Sequence, residues 1–166
     1  IEKGACGNTI NVNLNALKFL YEDVLGKKLT VNIRFSKVPK RLPEMLTKEE
    51  TLKVLGSIEN KKHFLMICLM YSAGLRVSEL VNLQVRELEI DEGYGFVRNG
   101  KGGKDRIFVI ADKLKKELKE HIDINKLCKD NYLFKGRKGW HISTQTIRAI
   151  IKNAAKKAKH EAKTGK

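Results

Sequence analysis

The sequence predicts an α+β fold that is mainly α-helical and contains one small antiparallel β-sheet. Apolar residues recur at helical spacing in residues 9–25, 47–83, 112–123 and 143–160. Between residues 88 and 110 the period shortens to that of β-strands, and glycines separate the last two strand-like runs. A hydrophobic fraction of 42% is sufficient for a buried core, which excludes a globally disordered chain.

The first predicted helix, residues 9–25, stands apart from the rest. Ile10, Leu14 and Leu17 lie on one apolar stripe, and Gly26 ends the helix. No second helix follows to cover this stripe, so we interpret residues 1–28 as the last helix of a helical domain whose earlier part precedes this sequence. Residues 29–46 contain both prolines and many cations, and they are predicted to be a basic linker.

Residues 47–166 are predicted to form the main domain. A capping box, Thr47 with Glu50, begins its first helix. The run "KKHFLMICLMYSAGL" is apolar almost all round and predicts a buried central helix, in which Tyr71 is expected to be a core residue. A short helix follows Gly74, and after it come the strands "LEID", "YGFVR" and "RIFVI". Trp140 has no neighbour that would make it a stacking platform, so we expect it to pack in the core or at a hinge.

Charge and cysteine content restrict the possible partners. The net charge of +15 favours a polyanion, most often nucleic acid and less often an anionic membrane, although a merely basic soluble surface is an alternative. The three cysteines are far apart and form no CxxC pair, which indicates neither a zinc site nor a disulfide framework and fits a reducing cytosol. No apolar run reaches membrane-spanning length, so no membrane partner is expected.

The segment "FVRNGKGGKDRIFVI", residues 96–110, allows three interpretations. Residues 95–102 nearly match the phosphate-loop pattern GxxxxGK[ST], but Gly102 replaces the required hydroxyl and the pattern runs through a strand, so nucleotide binding is not expected. A plain hairpin turn explains the glycines. It does not explain why four cations share one ribbon that could lie along phosphates: Arg98, Lys101, Lys104 and Arg106.

The segment "YSAGLRVSELVNL" contributes a second candidate site. Arg76 directly follows a buried helix and a glycine, and Glu79 comes three residues later. An arginine at such a position is paired or binds an anion. The residues alone leave open whether Arg76 and Glu79 form a structural ion pair or an anion site.

The sequence resembles the tyrosine recombinase family, in particular its Xer-type and phage-integrase-like members. The resemblance rests on "GLRVSELVNL", followed by "GKGGKDR" and an apolar strand. "LTKEETLKVL" before them and "HISTQTIRAIIKNAAKKA" after them are similar to the same catalytic domain, in the same order. The resemblance covers roughly residues 42–160, and residues 9–25 resemble the last helix of the family's core-binding domain.

The resemblance implies a function in site-specific DNA recombination. Arg76 would be the first catalytic arginine, Lys101 the catalytic lysine on the hairpin, and Glu79 a supporting residue. In this family a tyrosine attacks a DNA phosphodiester and forms a 3′-phosphotyrosyl link without metal or other cofactor and without nucleotide. The complete protein would act as a homotetramer on double-stranded DNA and be cytoplasmic and associated with DNA.

The family's HxxR motif and nucleophilic tyrosine have no match in these residues. None of the four histidines has an arginine three positions later, and all four tyrosines precede the expected position. Residues 47–166 are therefore expected to be the first two thirds of the catalytic domain, and the chain as written is expected to be inactive.

The remaining candidates would contact DNA without catalysis. In the helix from Ser143, residues Ile147, Ile150, Ile151, Ala154 and Ala158 should face inward, which leaves Gln145, Arg148 and Lys152 toward solvent. The resemblance makes Gln145 and Arg148 candidates for base contacts, although an ordinary solvated face is the alternative. In the linker, Lys37, Lys40 and Arg41 resemble the segment that passes along DNA. Two hypotheses of other classes remain: a non-enzymatic duplex-DNA-binding module, and an unrelated basic helical protein that binds RNA.

Overall fold

The computed structural model describes residues 6–28, 34–37, 42, 45–100, 102–136 and 139–164, with side chains through residue 159. The chain forms two compact units, Ile1–Met45 and Leu46–Lys166. Of the predicted linker, residues 29–33, 38–41 and 43–44 lie outside the described part, and with them Lys40 and Arg41.

The described residues of the first unit form one helix. Helix α1 spans Gly7–Phe19 and continues into a π-helical turn, Leu20–Val24. Gly26, with φ of +60°, follows at the predicted stop, because a left-handed residue ends a helix. This helix has no buried residue among those described, so the apolar stripe is largely exposed, as at Leu17. Within the same unit, the Asn11 side chain exchanges two hydrogen bonds with the backbone of Ser36 (2.8 and 3.0 Å).

The second unit begins with three helices: α2, Lys48–Gly56; α3, Lys61–Ala73; and α4, Val77–Asn82. The predicted capping box is confirmed, since Thr47 Oγ1 accepts the Glu50 N–H (3.2 Å) and Glu50 accepts the Thr47 N–H (2.8 Å). Asn60 caps α3 in a similar way, and Gly74 ends it with φ of +59°.

The sheet follows a 3₁₀ turn at Val85–Glu87. It has three antiparallel strands in the order β1-β2-β3: β1, Leu88–Glu89; β2, Tyr94–Val97; and β3, Arg106–Val109. Two further helices follow in the unit: α5, Asp112–Ile124, and α6, Thr144–Thr164. The predicted α+β class, with its single small antiparallel sheet, is confirmed.

The core lies between the helices and one face of the sheet. Leu69 of α3, Leu80 of α4 and Phe108 of β3 meet there, together with Leu118 of α5 and Ile147 of α6. Helix α6 is also tied to the first helix of the unit, because the buried Ser57 hydroxyl donates to the Ala154 carbonyl (3.0 Å). The helices and the sheet of this unit therefore share one core.

Two expectations about aromatic residues are wrong. Tyr71 is 66% exposed, whereas Leu65, Met66, Ile67 and Leu69 of the same helix are buried. A run that is apolar all round does not reveal which of its faces will be covered. Trp140 is 70% exposed in the loop before α6, where the Gly136 N–H donates to its backbone carbonyl (2.6 Å).

In the described part of the chain, no helix combines the length and the apolar character needed to cross a membrane.

Candidate functional site

The corner between α3 and α4, the end of β2 and the adjoining part of the β2–β3 hairpin tip line a cleft of about 360 Å³. Polar and charged side chains dominate its wall. The lining includes Arg76, Ser78, Glu79, Asn82, Arg98 and Asn99.

Arg76 is placed in this cleft by the way α3 stops. Gly74 turns the chain, Leu75 is buried (5% exposed), and Arg76 becomes the extended residue that precedes α4. Glu79, in the first turn of α4, accepts the Arg76 N–H at Oε2 (2.8 Å) and the Arg76 guanidinium at Oε1 (2.7 Å). The Arg76 side chain is 54% exposed, so its guanidinium is held on one side and open on the other.

Glu79 also binds a second arginine. Arg106 Nη2, from β3, lies 2.8 Å from Glu79 Oε2 and donates to the Gly74 carbonyl (3.1 Å). The Glu79 side chain is only 5% exposed. Burial alone would raise the pKa of Glu79, but the hydrogen bonds from the Arg76 backbone and from the Arg106 and Arg76 guanidiniums outweigh it, so the pKa is lowered. The carboxylate is therefore ionised at neutral pH.

The structure thus contains the ion pair that was one interpretation of Arg76 and Glu79. It is compatible with the other interpretation, because a guanidinium has five N–H donors in a planar fork and Arg76 gives Glu79 one of its terminal nitrogens. The exposed part of the fork suits a phosphate or another oxyanion.

The hairpin tip is closed by two backbone hydrogen bonds, from Gly100 N–H to Lys104 O (3.0 Å) and from Gly103 N–H to Gly100 O (2.9 Å). A Cβ on Gly100 would lie 2.8 Å from the Lys104 carbonyl, so only glycine fits this backbone approach. Lys104 is exposed. Lys101 lies outside the described residues.

Arg98 is paired within the hairpin. Its Nη1 lies 2.7 Å from Asp105 Oδ2, and its guanidinium stacks over the Phe96 ring at 4.7 Å. The Arg98 hydrogen bond and the Asn99 N–H lower the pKa of Asp105. We did not identify Asp105 from the sequence, although the pairing of Val97 with Arg106 places Arg98 opposite Asp105 one step nearer the tip.

Helix α6 presents the predicted polar face. Ser143 Oγ accepts the Thr146 N–H (3.1 Å) at its start. The predicted inward face is confirmed: Ile147, Ala154 and Ala158 are buried, and Ile150 and Ile151 are half-buried against the core. Gln145, Arg148 and Lys152 are exposed, as expected.

The candidate residues therefore fall into separate groups. The cleft brings together Arg76, Glu79 and Arg98, with Arg106 behind Glu79. The exposed residues of α6 are not part of the cleft lining, and Lys37 is exposed in the first unit. Among the described residues no cluster of His, Cys, Asp or Glu could hold a metal ion, and the three cysteines are free.

Comparison with known proteins determines the family. The model of the phage integrase family matches residues 44–165. The chain belongs to the phage integrase family. Tyrosine recombinase XerA of Pyrococcus horikoshii is 34% identical over 155 residues, which cover 90% of this chain and 53% of that protein. A tyrosine recombinase of Pseudothermotoga lettingae is 38% identical over 113 residues, covering 68% of this chain and 40% of the relative.

Solved structures of phage integrase family members share the fold. The crystal structure of XerA recombinase matches with a TM-score of 0.63 and 26% identity over 93% of this chain and 56% of that one. The XerH site-specific recombinase bound to difH substrate matches with a TM-score of 0.73 over 93% of this chain and 50% of that one; at 22% identity it supports the fold alone. The predicted resemblance to Xer-type tyrosine recombinases is confirmed, and this phage integrase chain spans about half the length of the curated relatives it matches.

Proposed function

We propose that the protein carrying these residues is a site-specific DNA recombinase, which cleaves and rejoins duplex DNA through a 3′-phosphotyrosyl intermediate. The observation that carries the proposal is the Arg76 guanidinium, anchored by Glu79 and half exposed in a cleft beside the hairpin that bears Lys101. Membership of the phage integrase family supports the reaction class.

In this proposal Arg76 binds the non-bridging oxygens of the scissile phosphate and stabilises the charge that develops in the transition state. Its anchorage to Glu79 fixes the guanidinium before DNA arrives, so little reorganisation is needed during the reaction. Lys101 protonates the departing oxygen, and the surrounding glycines of the hairpin tip suit its delivery after DNA binding. Neither step requires a metal or a nucleotide.

The DNA contacts are proposed in three groups. Gln145 and Arg148 of α6 read base edges, since glutamine can pair with adenine and arginine with guanine. Arg98, Lys104 and Lys152 contact phosphates, whereas Arg106, which the sequence placed in the same group, is bound to Glu79. The predicted linker adds Lys37, Lys40 and Arg41.

The complete protein is proposed to act as a homotetramer on DNA. The lambda integrase tetramer bound to a Holliday junction shares the fold, with a TM-score of 0.71 at 20% identity.

A non-enzymatic duplex-DNA-binding module is the second candidate. One observation favours it: Gln145, Arg148 and Lys152 are exposed on α6 and are not part of the cleft lining, so DNA binding there would need no chemistry in the cleft. Both candidates share the DNA-binding surface, and only the first requires a nucleophile.

Binding of residues 1–166 to a 30-base-pair duplex, measured by fluorescence anisotropy at several salt concentrations, tests what the two candidates share. We expect affinity to fall steeply with salt and duplex DNA to outcompete single-stranded RNA. Lys152→Gln, at a proposed phosphate contact of α6, should reduce the salt slope by about one, whereas Lys116→Gln, on the exposed face of α5, should not change it. A preference for RNA would contradict both candidates.

A further inference from the structure

Arg106 joins three separate elements at the cleft. It belongs to β3, it binds the Glu79 carboxylate of α4, and it donates to the carbonyl of Gly74, the residue that ends α3. Both hydrogen bonds come from the same nitrogen, Nη2, and the Arg106 side chain is 35% exposed. The start of β3, next to the hairpin tip, is thereby fixed to the corner between α3 and α4 that carries Arg76.

The charges at this point are unequal. Glu79 supplies one negative charge, while Arg76 and Arg106 supply two positive charges, so the trio carries a net charge of about +1. Without Arg106, Arg76 and Glu79 would neutralise each other, and an incoming anion would meet a paired arginine beside an uncompensated carboxylate oxygen. Arg106 therefore leaves this trio with a net positive charge, and it does so from a position outside the cleft lining, which also includes Glu87 and Arg98.

We propose that Arg106 is a positioning residue rather than a DNA contact: it holds Glu79 and the Gly74 corner so that the Arg76 guanidinium faces the scissile phosphate. This rests on the proposed function, since it assigns Arg76 to a DNA phosphate. It also links the hairpin that carries Lys101 to the arginine with which that lysine would act.

The alternative is that Arg106 contacts a DNA phosphate directly, as its place on the basic ribbon suggests. The two roles differ in their dependence on Arg76. A phosphate contact acts independently of Arg76, so its loss should add to the loss of Arg76. A positioning residue acts through Arg76, so its loss should have little effect once Arg76 is gone.

The first measurement is the pKa of Glu79 in residues 1–166, from carbon-13 NMR of its carboxyl group. Arg106→Gln should raise this pKa, because one guanidinium and one hydrogen bond are lost. Arg98→Gln is the matched control: it removes one charge from the same hairpin but from a residue paired with Asp105, and it should leave the Glu79 pKa unchanged. Arg106→Lys keeps the charge and should give an intermediate pKa.

The second measurement is the affinity for the 30-base-pair duplex, in a double-mutant cycle with Arg76→Gln. We expect Arg106→Gln to weaken binding about fivefold alone and less than twofold when Arg76 is already glutamine. Lys116→Gln should have the same effect in both backgrounds. If Arg106→Gln does not fold, Arg106→Lys takes its place in both measurements, with smaller changes in the same directions.

A Glu79 pKa that does not respond to Arg106 would overturn the proposal. The proposal would also be overturned if Arg106→Gln reduced affinity equally in both backgrounds and lowered the salt slope by about one, because a phosphate contact behaves in this way. If the chain binds no duplex DNA, the proposed function fails and with it the role of Arg106 toward a DNA phosphate. The Glu79 titration then still shows whether Arg106 holds that carboxylate.

Discussion

Glu79→Gln removes the negative charge at the centre of the cleft while keeping the size of the side chain. The Glu79 carboxylate accepts three hydrogen bonds of 2.7 to 2.8 Å, two of them from guanidiniums. A glutamine oxygen can still accept the Arg76 N–H, so the helix cap survives. Only one of the two terminal atoms of glutamine is an oxygen, and its NH2 group cannot accept from a guanidinium, so one guanidinium contact is lost and the other loses its charged acceptor. The two arginines then have no carboxylate between them.

The size of the effect follows from these two contacts. A hydrogen bond to a charged group contributes about 1 kcal/mol more than a neutral one, which gives about 2 kcal/mol for the pair. Solvent screens part of this, because Arg76 and Arg106 are 54% and 35% exposed. We expect Glu79→Gln to reduce the free energy of unfolding by roughly 1 to 2 kcal/mol, or to lower Tm by about 3 to 8 °C.

The dependence on pH gives a second test of the same contact. The pKa of Glu79 in the folded chain is lowered from its ordinary value of 4.5. The stabilisation is therefore fully present above about pH 4.5 and is lost as the pH falls through the lower, folded-state pKa. Urea unfolding of both proteins between pH 7 and pH 3 should show a stability difference that shrinks in the acid range.

Glu120→Gln serves as the control, since Glu120 is 57% exposed and its only described ion pair, with Lys116, is 3.9 Å long. It should change stability by less than about 0.5 kcal/mol. The reasoning is refuted if Glu79→Gln costs no more than this control, or if its effect is the same at pH 3 as at pH 7.

Two further predictions concern the hairpin and α6. Gly100→Ala should open the hairpin tip, because the new Cβ would lie 2.8 Å from the Lys104 carbonyl, and amide hydrogen exchange at Gly103 should accelerate. Gly56→Ala is the control, since no atom lies within 4 Å of its new Cβ, and it should leave this exchange unchanged. Unaltered exchange in both variants would contradict the assigned closure. Gln145→Ala should reduce discrimination between DNA sequences by about 1 to 3 kcal/mol at one base pair, with little change in nonspecific affinity, when measured by selection from a random duplex library. A uniform loss of affinity would make Gln145 a backbone contact instead.

Sequence reasoning succeeded where a feature depends on neighbouring residues. The helices follow from apolar spacing and from local caps such as Thr47 and Asn60, and Arg76 is placed by the glycine before it and the glutamate three residues after it. The hairpin follows from two strand-like runs around glycines. Each of these relations spans a few positions, so local propensity and hydrogen bonding decide it.

It failed where a feature depends on residues that are distant in sequence. Arg106 reaches Glu79 across 27 positions, and that contact arises only because β3 packs beside the end of α3. The exposure of Tyr71 and Trp140 depends on which faces other elements cover. Hydropathy alone carries no information about either.

A covalent link between a tyrosine and DNA is the most direct test of the proposed recombinase function. The whole gene product containing residues 1–166 would be incubated with a random duplex library, and DNA that remains attached to protein in denaturant would be recovered. The proposed function predicts that the unaltered protein yields a tyrosine joined to a 3′-phosphate. Arg76→Ala should yield no such adduct, although it should still bind duplex DNA. The absence of an adduct, a link through a 5′-phosphate, or an undiminished yield from Arg76→Ala would contradict it.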